Sequence, residues 1–543
     1  MSWKEPRASL SAWLLTAVTL ACLLPFLGKA FHMDDPLFIW AARHIESHPF
    51  DFYGFDVEWG LQQTPMSAEM LNPPLASYFM AGVGAVFGWS ERALHFGFLL
   101  PAMALVLGTY FMARRFCSHP FAAALAVIAT PVFLLSGASL MCDTMMAALW
   151  VWAVYFWMEG LDPENPRLLL LAATLMAACG LTKYFGLSLI PLLAVYSVLQ
   201  QRRPGRWLLY FILPVLILAG YQWLTARLYG RGLLWNATDY VATHRSASGC
   251  CSKIIETLAF SGGCFFIALP ALPLLWGRRG MIAGAAGAEA AICLMAAMNS
   301  VGGFTVVEGG HVKWLFLLQM ALFVAGGAII LALAVADALR NRTPVSILLL
   351  LWVVGVLVFV CAVNWTVSGR NILPLAPAAA LLIVRRLEFQ AADGLRRLWW
   401  PLGISLAVAL MVAWADWRLA GSAREIVNTL KSHLAPSGDH ITFEGHWGFQ
   451  YYMEQLGAKP LEDRKPLVLT PFQAVIIPMG NACIFDLPRD LAEPVGVVEI
   501  TPAQWLSVQS LRAGAGYYSD DWGPAPFIFG PAPPETYRIL RVK

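Results

Sequence analysis

Apolar runs of about 20 residues, the length that crosses roughly 30 Å of hydrocarbon, recur along this chain from near its N-terminus to about residue 418. Nothing else limits the possible folds so strongly, because a helix that is apolar all round needs lipid or other protein on every side. The composition, 58% apolar and 13% charged over 543 residues, agrees. A water-soluble core of ordinary make-up does not hide that much hydrophobic surface. The expected fold is an all-α polytopic membrane protein with about thirteen transmembrane helices. The first, from about Ser11 to Gly28, is too long for a cleavable signal and reads as an anchor with Lys4 and Arg7 on the inner side.

Basic residues set the sidedness. Arg114-Arg115, Arg202-Arg203-Arg206, Arg278-Arg279, Arg340-Arg342 and Arg385-Arg386 with Arg396-Arg397 fall in every second link between apolar runs, so these links are cytoplasmic. The others, around residues 31–92, 137–142, 227–256, 301–313 and 366–371, face outward, toward the periplasm of a bacterial inner membrane. Two segments of the first outer loop, the helix after Pro36 and the apolar stretch Pro73–Gly88, are too short to span and are expected to lie on the membrane surface, roofing a cavity. After about Trp417 the composition turns mixed and polar. The chain thus divides into a membrane unit, 1–418, and a periplasmic C-terminal domain, 419–543, of α/β type. Strand-like runs stand at Leu467–Thr470 and Val475–Pro478, and a helix is expected after Gly445.

The net charge of +3 is what topogenic arginines leave and implies no nucleic-acid partner. The cysteines lack both disulfide-framework and zinc-ligand spacing.

Charged groups that resist this pattern are the candidates for chemistry. Asp34 and Asp35 sit together just beyond the first span, where paired carboxylates are costly unless used. Asp35 before Pro36 also reads as a helix N-cap, a duty that does not need Asp34. Asp143 opens another apolar run and is either a cap or a functional acid. Lys183 in Thr182-Lys183-Tyr184 and Arg370 in Gly369-Arg370-Asn371 are cations on the side that topogenic signals avoid; snorkelling to headgroups is the plain alternative for each. Two acids and two cations on one side suit a site that activates a hydroxyl and holds a phosphate. His311 and Lys313, in Glu308-Gly309-Gly310-His311-Val312-Lys313, are weaker candidates for a phosphate contact. The polar, aromatic stretch Glu444–Tyr452 suits a carbohydrate surface or the core of a small domain. His32, Asp34 and Asp35 carry metal-binding atoms without metal-site spacing, so no metal or other cofactor is expected to be required.

At these residues the chain resembles the bacterial branch of the C-type fold glycosyltransferases, which includes protein O-mannosyltransferases and the lipid A aminoarabinose transferase. Met33-Asp34-Asp35 stands where that family has an Asp-Glu pair, and Asn72-Pro73-Pro74 stands where it has a basic residue and prolines before a surface helix. Ala93–Arg115 resembles its second span and Phe121–Trp157 the next two, with Asp143 at the outer-loop aspartate. Gly180-Leu181-Thr182-Lys183 is similar to its Leu-Thr-Lys motif, and Gly369-Arg370-Asn371-Ile372-Leu373-Pro374 to its late Gly-Arg-Tyr-Leu-Leu-Pro motif. The resemblance implies transfer of a sugar from a polyprenyl phosphate donor to a lipid, polysaccharide or protein hydroxyl, by a single inverting displacement. Asp34 would be the base, and Lys183 and Arg370 would meet the phosphate. A lipid-linked sugar transporter or flippase is the competing expectation. Such proteins usually carry internal repeats and broken helices with polar residues near the midplane, and the sequence has no visible repeat of that kind.

Overall fold

The computed structural model describes residues 8–60, 62–162, 164–244, 250–389, 396–434, 441–461, 469–485 and 487–543; Lys4 and Arg7 lie outside them. Most of the chain is helical, and the chain is a multi-pass membrane protein. Among the described residues eight helices are long and apolar enough to cross a membrane, or nine if one bent pair is a single span. That pair, Pro120–Ile128 and Pro131–Gly137, meets at 65°. The break falls at Thr130-Pro131, where the proline ring denies the first helix its continuation and Thr130 caps the second by accepting from Phe133 N. Asn165-Pro166 and Thr343-Pro344 open helices in the same way, a cap followed by a residue whose missing N–H costs nothing at the first turn.

The apolar segment after Ile267 is a single 31-residue element, Ala268–Met298, with Gly277 in the left-handed region at φ 61. A Cβ at Gly284 would lie 3.0 Å from the Leu272 side chain, a separation of about 18 Å along a straight helix. The element is therefore a helical hairpin folded at Gly277, with Arg278-Arg279 at its tip.

The arginine-bearing links gather at one end of the bundle. Arg115 meets Glu159 at 3.0 Å, and Arg385 meets Asp337 at 3.1 Å and the Phe116 carbonyl at 3.0 Å. Arg386 donates to the Leu275 carbonyl at 3.1 Å, and Gln200 and Gln201, beside Arg202, reach Asp162. Asp143 and Arg370 stand at the opposite ends of the same helical segments, about 25 Å away by rise per residue.

In the first long loop the expected helices are Asp35–Ser47 and Leu75–Phe87, packed on one another. The long helix Trp399–Leu434 runs across position 418 and joins two cores: Val408, Ala409 and Val412 pack in the main one, Ile426 and Leu430 in a second. The second core backs a five-stranded sheet in the order Ala492–Ile500, Glu535–Val542, Ala474–Pro478, Ile441–Phe443, Lys459–Pro460. Ile441–Phe443 pairs in parallel with both of its neighbours; the other pairings are antiparallel. The run Val475–Pro478 lies in its third strand; of Leu467–Thr470, the first two residues lie outside the described ones and Leu469-Thr470 form no strand. The helix after Gly445 is Trp447–Leu456. It sends Phe449 and Met453 into the second core and Tyr451 against Phe31, so its aromatics serve as packing.

Candidate active site

Beyond the first helix the chain reverses at His32–Asp35, with Met33 at φ 47 and Asp35 N donating to the His32 carbonyl at 3.0 Å. The reversal turns Asp34 and Asp35 in different directions. Asp35 is fully buried and does not cap its helix, contrary to the capping expectation. Its carboxylate accepts instead from His32 N at 2.9 Å, Leu140 N at 3.1 Å and Ser139 Oγ at 3.4 Å. It thereby ties the first outer loop to the turn that precedes Asp143. Burial, outweighing the nearby Lys29 charge and these bonds, pushes its pKa up to about 6.

Asp34 points the other way. Its Oδ2 accepts from Arg370 at 2.9 Å. Arg370 comes from a short turn, Gly369–Ile372, and its guanidinium lies 6.0 Å from the centre of the Tyr518 ring. Burial disfavours its charge, but the Asp34 and Asp143 carboxylates outweigh that and hold it protonated.

Lys183 ends the helix Pro166–Thr182 in an extended conformation, φ −153. The tight turn after it needs Gly186, where a Cβ would sit 2.5 Å from the Cys179 carbonyl carbon. Its Nζ donates to Asp143 Oδ1 at 2.5 Å and to Asn371 Oδ1 at 2.6 Å. Asp143 is the first residue of its helix and holds this lysine, a use beyond the helix start. Neither cation snorkels outward: the Lys183 and Arg370 side chains are only 17% and 20% exposed.

All four groups line one cavity of about 400 Å³. Its lining combines polar groups, Asp34, Asn72, Asp143, Lys183, Arg370 and Asn371 among them, with apolar ones such as Leu187, Leu234, Val241, Phe359 and Val363. Asp35, His311 and Lys313 are not among the lining residues. Glu308 and His311 flank a two-residue hairpin turn at Gly309-Gly310, both glycines at positive φ, the conformation that Gly-Gly favours, and Lys313 follows the second strand. There Lys313 pairs with Glu308 at 3.0 Å. His32, Asp34 and Asp35 do not converge either: His32 Nε2 faces Asp416 Oδ1 at 3.9 Å, while the acids point as described. Among the described residues no group of three or more His, Cys, Asp or Glu is arranged to hold a metal ion.

Four contributors escape sequence reasoning. Asn371, which departs from the aromatic usual in the motif, supplies the second acceptor of Lys183. Lys29 and Asp416, 1% exposed and 2.5 Å apart, join the segment after the first helix to the middle of the last long helix. Tyr518 of the tail donates to Asp416 Oδ1 at 2.9 Å while its ring faces Arg370. A lone carboxylate in an apolar run was the available signal for Asp416. Nothing local marks Tyr518.

Residues 71–223 match the family model of dolichyl-phosphate-mannose-protein mannosyltransferase. The resemblance to the C-type fold glycosyltransferases therefore holds over a stretch that includes Asn72, Asp143 and Lys183. Solved structures similar to this chain include ArnT from Cupriavidus metallidurans bound to undecaprenyl phosphate, at 15% identity over 87% of this chain and 93% of that one, TM-score 0.47. The oligosaccharyltransferase of Archaeoglobus fulgidus in its apo form aligns at 13% identity over 85% and 65%, TM-score 0.49. The arabinofuranosyltransferase AftD from Mycobacteria aligns at 12% over 100% and 40%, TM-score 0.42. No curated protein matches the chain.

Proposed function

We propose that this chain is a glycosyltransferase that moves a sugar from a polyprenyl phosphate donor to an acceptor hydroxyl at the periplasmic face of a bacterial inner membrane. One observation carries the reading: two cation–carboxylate pairs, Arg370–Asp34 and Lys183–Asp143, line one cavity together with a set of apolar side chains. A prenyl phosphate needs this combination, cations for its phosphate and an apolar face for its chain. The family match through Lys183 favours the same donor class.

In this mechanism a phosphate that takes Arg370 releases Asp34. The carboxylate then accepts the acceptor's hydroxyl proton as the hydroxyl oxygen bonds to the anomeric carbon. The bond from that carbon to the phosphate oxygen breaks, and its electron pair leaves with polyprenyl phosphate. Lys183 and Arg370 stabilise the departing charge, and one displacement inverts the anomeric centre. Asp143 keeps Lys183 aimed, and Asp35 supports the loop that carries Asp143; His311 and Lys313 take no part. The acceptor is a lipid, polysaccharide or protein hydroxyl.

The accompanying topology has about thirteen crossings, counting both arms of the Gly277 hairpin and the helices Asp143–Leu161, Pro166–Thr182 and Ala376–Glu388 with the long spans and the bent pair, and leaving Leu75–Phe87 on the surface. It has a catalytic unit at 1–418 and a periplasmic domain at 419–543.

The test is release of free polyprenyl phosphate by purified protein in lipid, supplied with polyprenyl phosphate sugars and a membrane extract as acceptor source. Wild type is expected to release it, and Asp34→Asn, still folded and still binding donor, to lose at least about 100-fold in rate. Equal rates would remove Asp34 as base, and donor bound by wild type but never consumed would favour the lipid-linked sugar transporter.

A further inference from the structure

The loop that carries Arg370 has little internal support. Residues 364–368 form no regular structure, and the helical turn after them is only four residues long. The tail supplies what is missing. Gly369 N donates to the Tyr517 carbonyl at 2.7 Å, and Asp520 N donates to the Val367 carbonyl at 2.9 Å. The Asp520 side chain accepts in turn from Val367 N at 2.9 Å and from Thr366 Oγ1 at 2.5 Å, through Oδ1. Its Oδ2 pairs with Lys253.

Around this ladder the packing is close. Asp520, Tyr517 and Tyr518 are all buried. A Cβ on Gly369 would fall 2.2 Å from the Tyr517 ring, so glycine is what lets the strap lie flat against the loop. The strap is anchored below as well: the Tyr517 hydroxyl lies 3.1 Å from Ser136 Oγ, and Tyr518 donates to Asp416.

We propose that the tail segment Tyr517–Asp520 is the device that positions Arg370 toward Asp34 and the donor phosphate, with Asp520 as its principal positioning residue. The assignment of a phosphate to Arg370 rests on the glycosyl-transfer reading; the clamping of loop 366–369 by the strap does not. Asp520 acts through the backbone on which Arg370 is mounted. Its side chain bonds Thr366, Val367 and Lys253 and neighbours Glu256, and its backbone joins Val367 and Gly523; of these Thr366 lines the cavity, and none is Asp34, Asp143, Lys183 or Arg370. Severing these bonds frees the loop while leaving Asp143, the partner of Lys183 on another element, in place.

Two measurements on the full chain in lipid nanodiscs test this. Hydrogen exchange of residues 366–371 is compared between wild type, Asp520→Asn and Asp520→Ala, and undecaprenyl phosphate affinity is measured for wild type, Asp520→Asn, Arg370→Gln and the double variant. Exchange in 366–371 should rise in both Asp520 variants while the long helices keep their protection. Asp520→Asn should weaken undecaprenyl phosphate binding about tenfold, and the double variant should bind no worse than Arg370→Gln alone, because both changes remove one effect. Unchanged exchange in 366–371 overturns the strap, as does strict additivity of the two losses. If wild type binds no undecaprenyl phosphate, the glycosyl-transfer reading fails, and exchange still decides whether the strap holds the loop. Gly369→Ala, which pushes Tyr517 away without altering a charge, should give the same exchange pattern should Asp520→Ala fail to fold.

Discussion

Lys183 and His32 illustrate how one side chain's surroundings decide its use. Lys183 has two acceptors, Asp143 and Asn371, that hold its ammonium at the cavity wall. A flexible lysine pays rotamer entropy for a fixed position, and two short bonds offset that cost before any ligand arrives. Lys183→Met is expected to lower kcat/KM for the donor by about 100-fold or more. Asn371→Ala, which keeps the charge and loses one guide, should cost about tenfold. Steady-state release of polyprenyl phosphate checks both. His32 is buried against Tyr518, ring centres 5.3 Å apart. Burial lowers its pKa to about 3, with Asp416 opposing the shift. The folded value lies below the unfolded one of about 6.5, so the stability tied to neutral His32 is complete above that pH and is lost as pH falls. Between pH 6 and 4 wild type should lose up to about 1.4 kcal/mol per pH unit relative to His32→Asn, read from thermal unfolding of the two proteins across that range.

Elements meet at the site through a few buried polar contacts. The segment after the first helix and the middle of the last long helix are fastened by Lys29 and Asp416, and Tyr518 binds the same carboxylate. Removing one partner of such a pair leaves an uncompensated buried charge. Lys29→Met should therefore destabilise the protein by about 3–5 kcal/mol, and Lys29→Met with Asp416→Leu by much less. Unfolding in detergent measures the cycle; equal losses in the single and double variants would mean that the pair contributes little. The helices themselves were legible. Apolar length marked the spans, and Pro36 and Gly445 marked the starts of Asp35–Ser47 and Trp447–Leu456. The use of Asp35 was not: a carboxylate before proline reads as a cap in sequence, and only the neighbouring turn at Ser139-Leu140 gives it other donors. Arg278-Arg279, which reads as a link between two apolar runs, stands at the tip of the Gly277 hairpin, and only the turn at Gly277 itself went unmarked.

Across the whole molecule, charges sort to the two ends of the bundle. Arginine pairs close one end and the cavity opens toward the other. Single cysteines placed at Arg203 and at Asn481, in a variant with the exposed native cysteines replaced, should react with an impermeant thiol reagent from opposite sides of the membrane. Labelling of both from one side would overturn the topology. The sequence by itself determined that this chain lives in lipid and which links share a side, because apolar length and arginine placement act locally and survive in one dimension. It also marked Asp34, Asp143, Lys183 and Arg370, since a charge beside an apolar run stands out wherever the chain goes. Only the tertiary structure decided how these charges pair and that Asp35 turns away from the cavity. It alone brought Asn371 to Lys183 and laid Tyr518 and Asp520 against the Arg370 loop. Those contacts join residues up to several hundred positions apart, and nothing in the local sequence of either partner specifies the other.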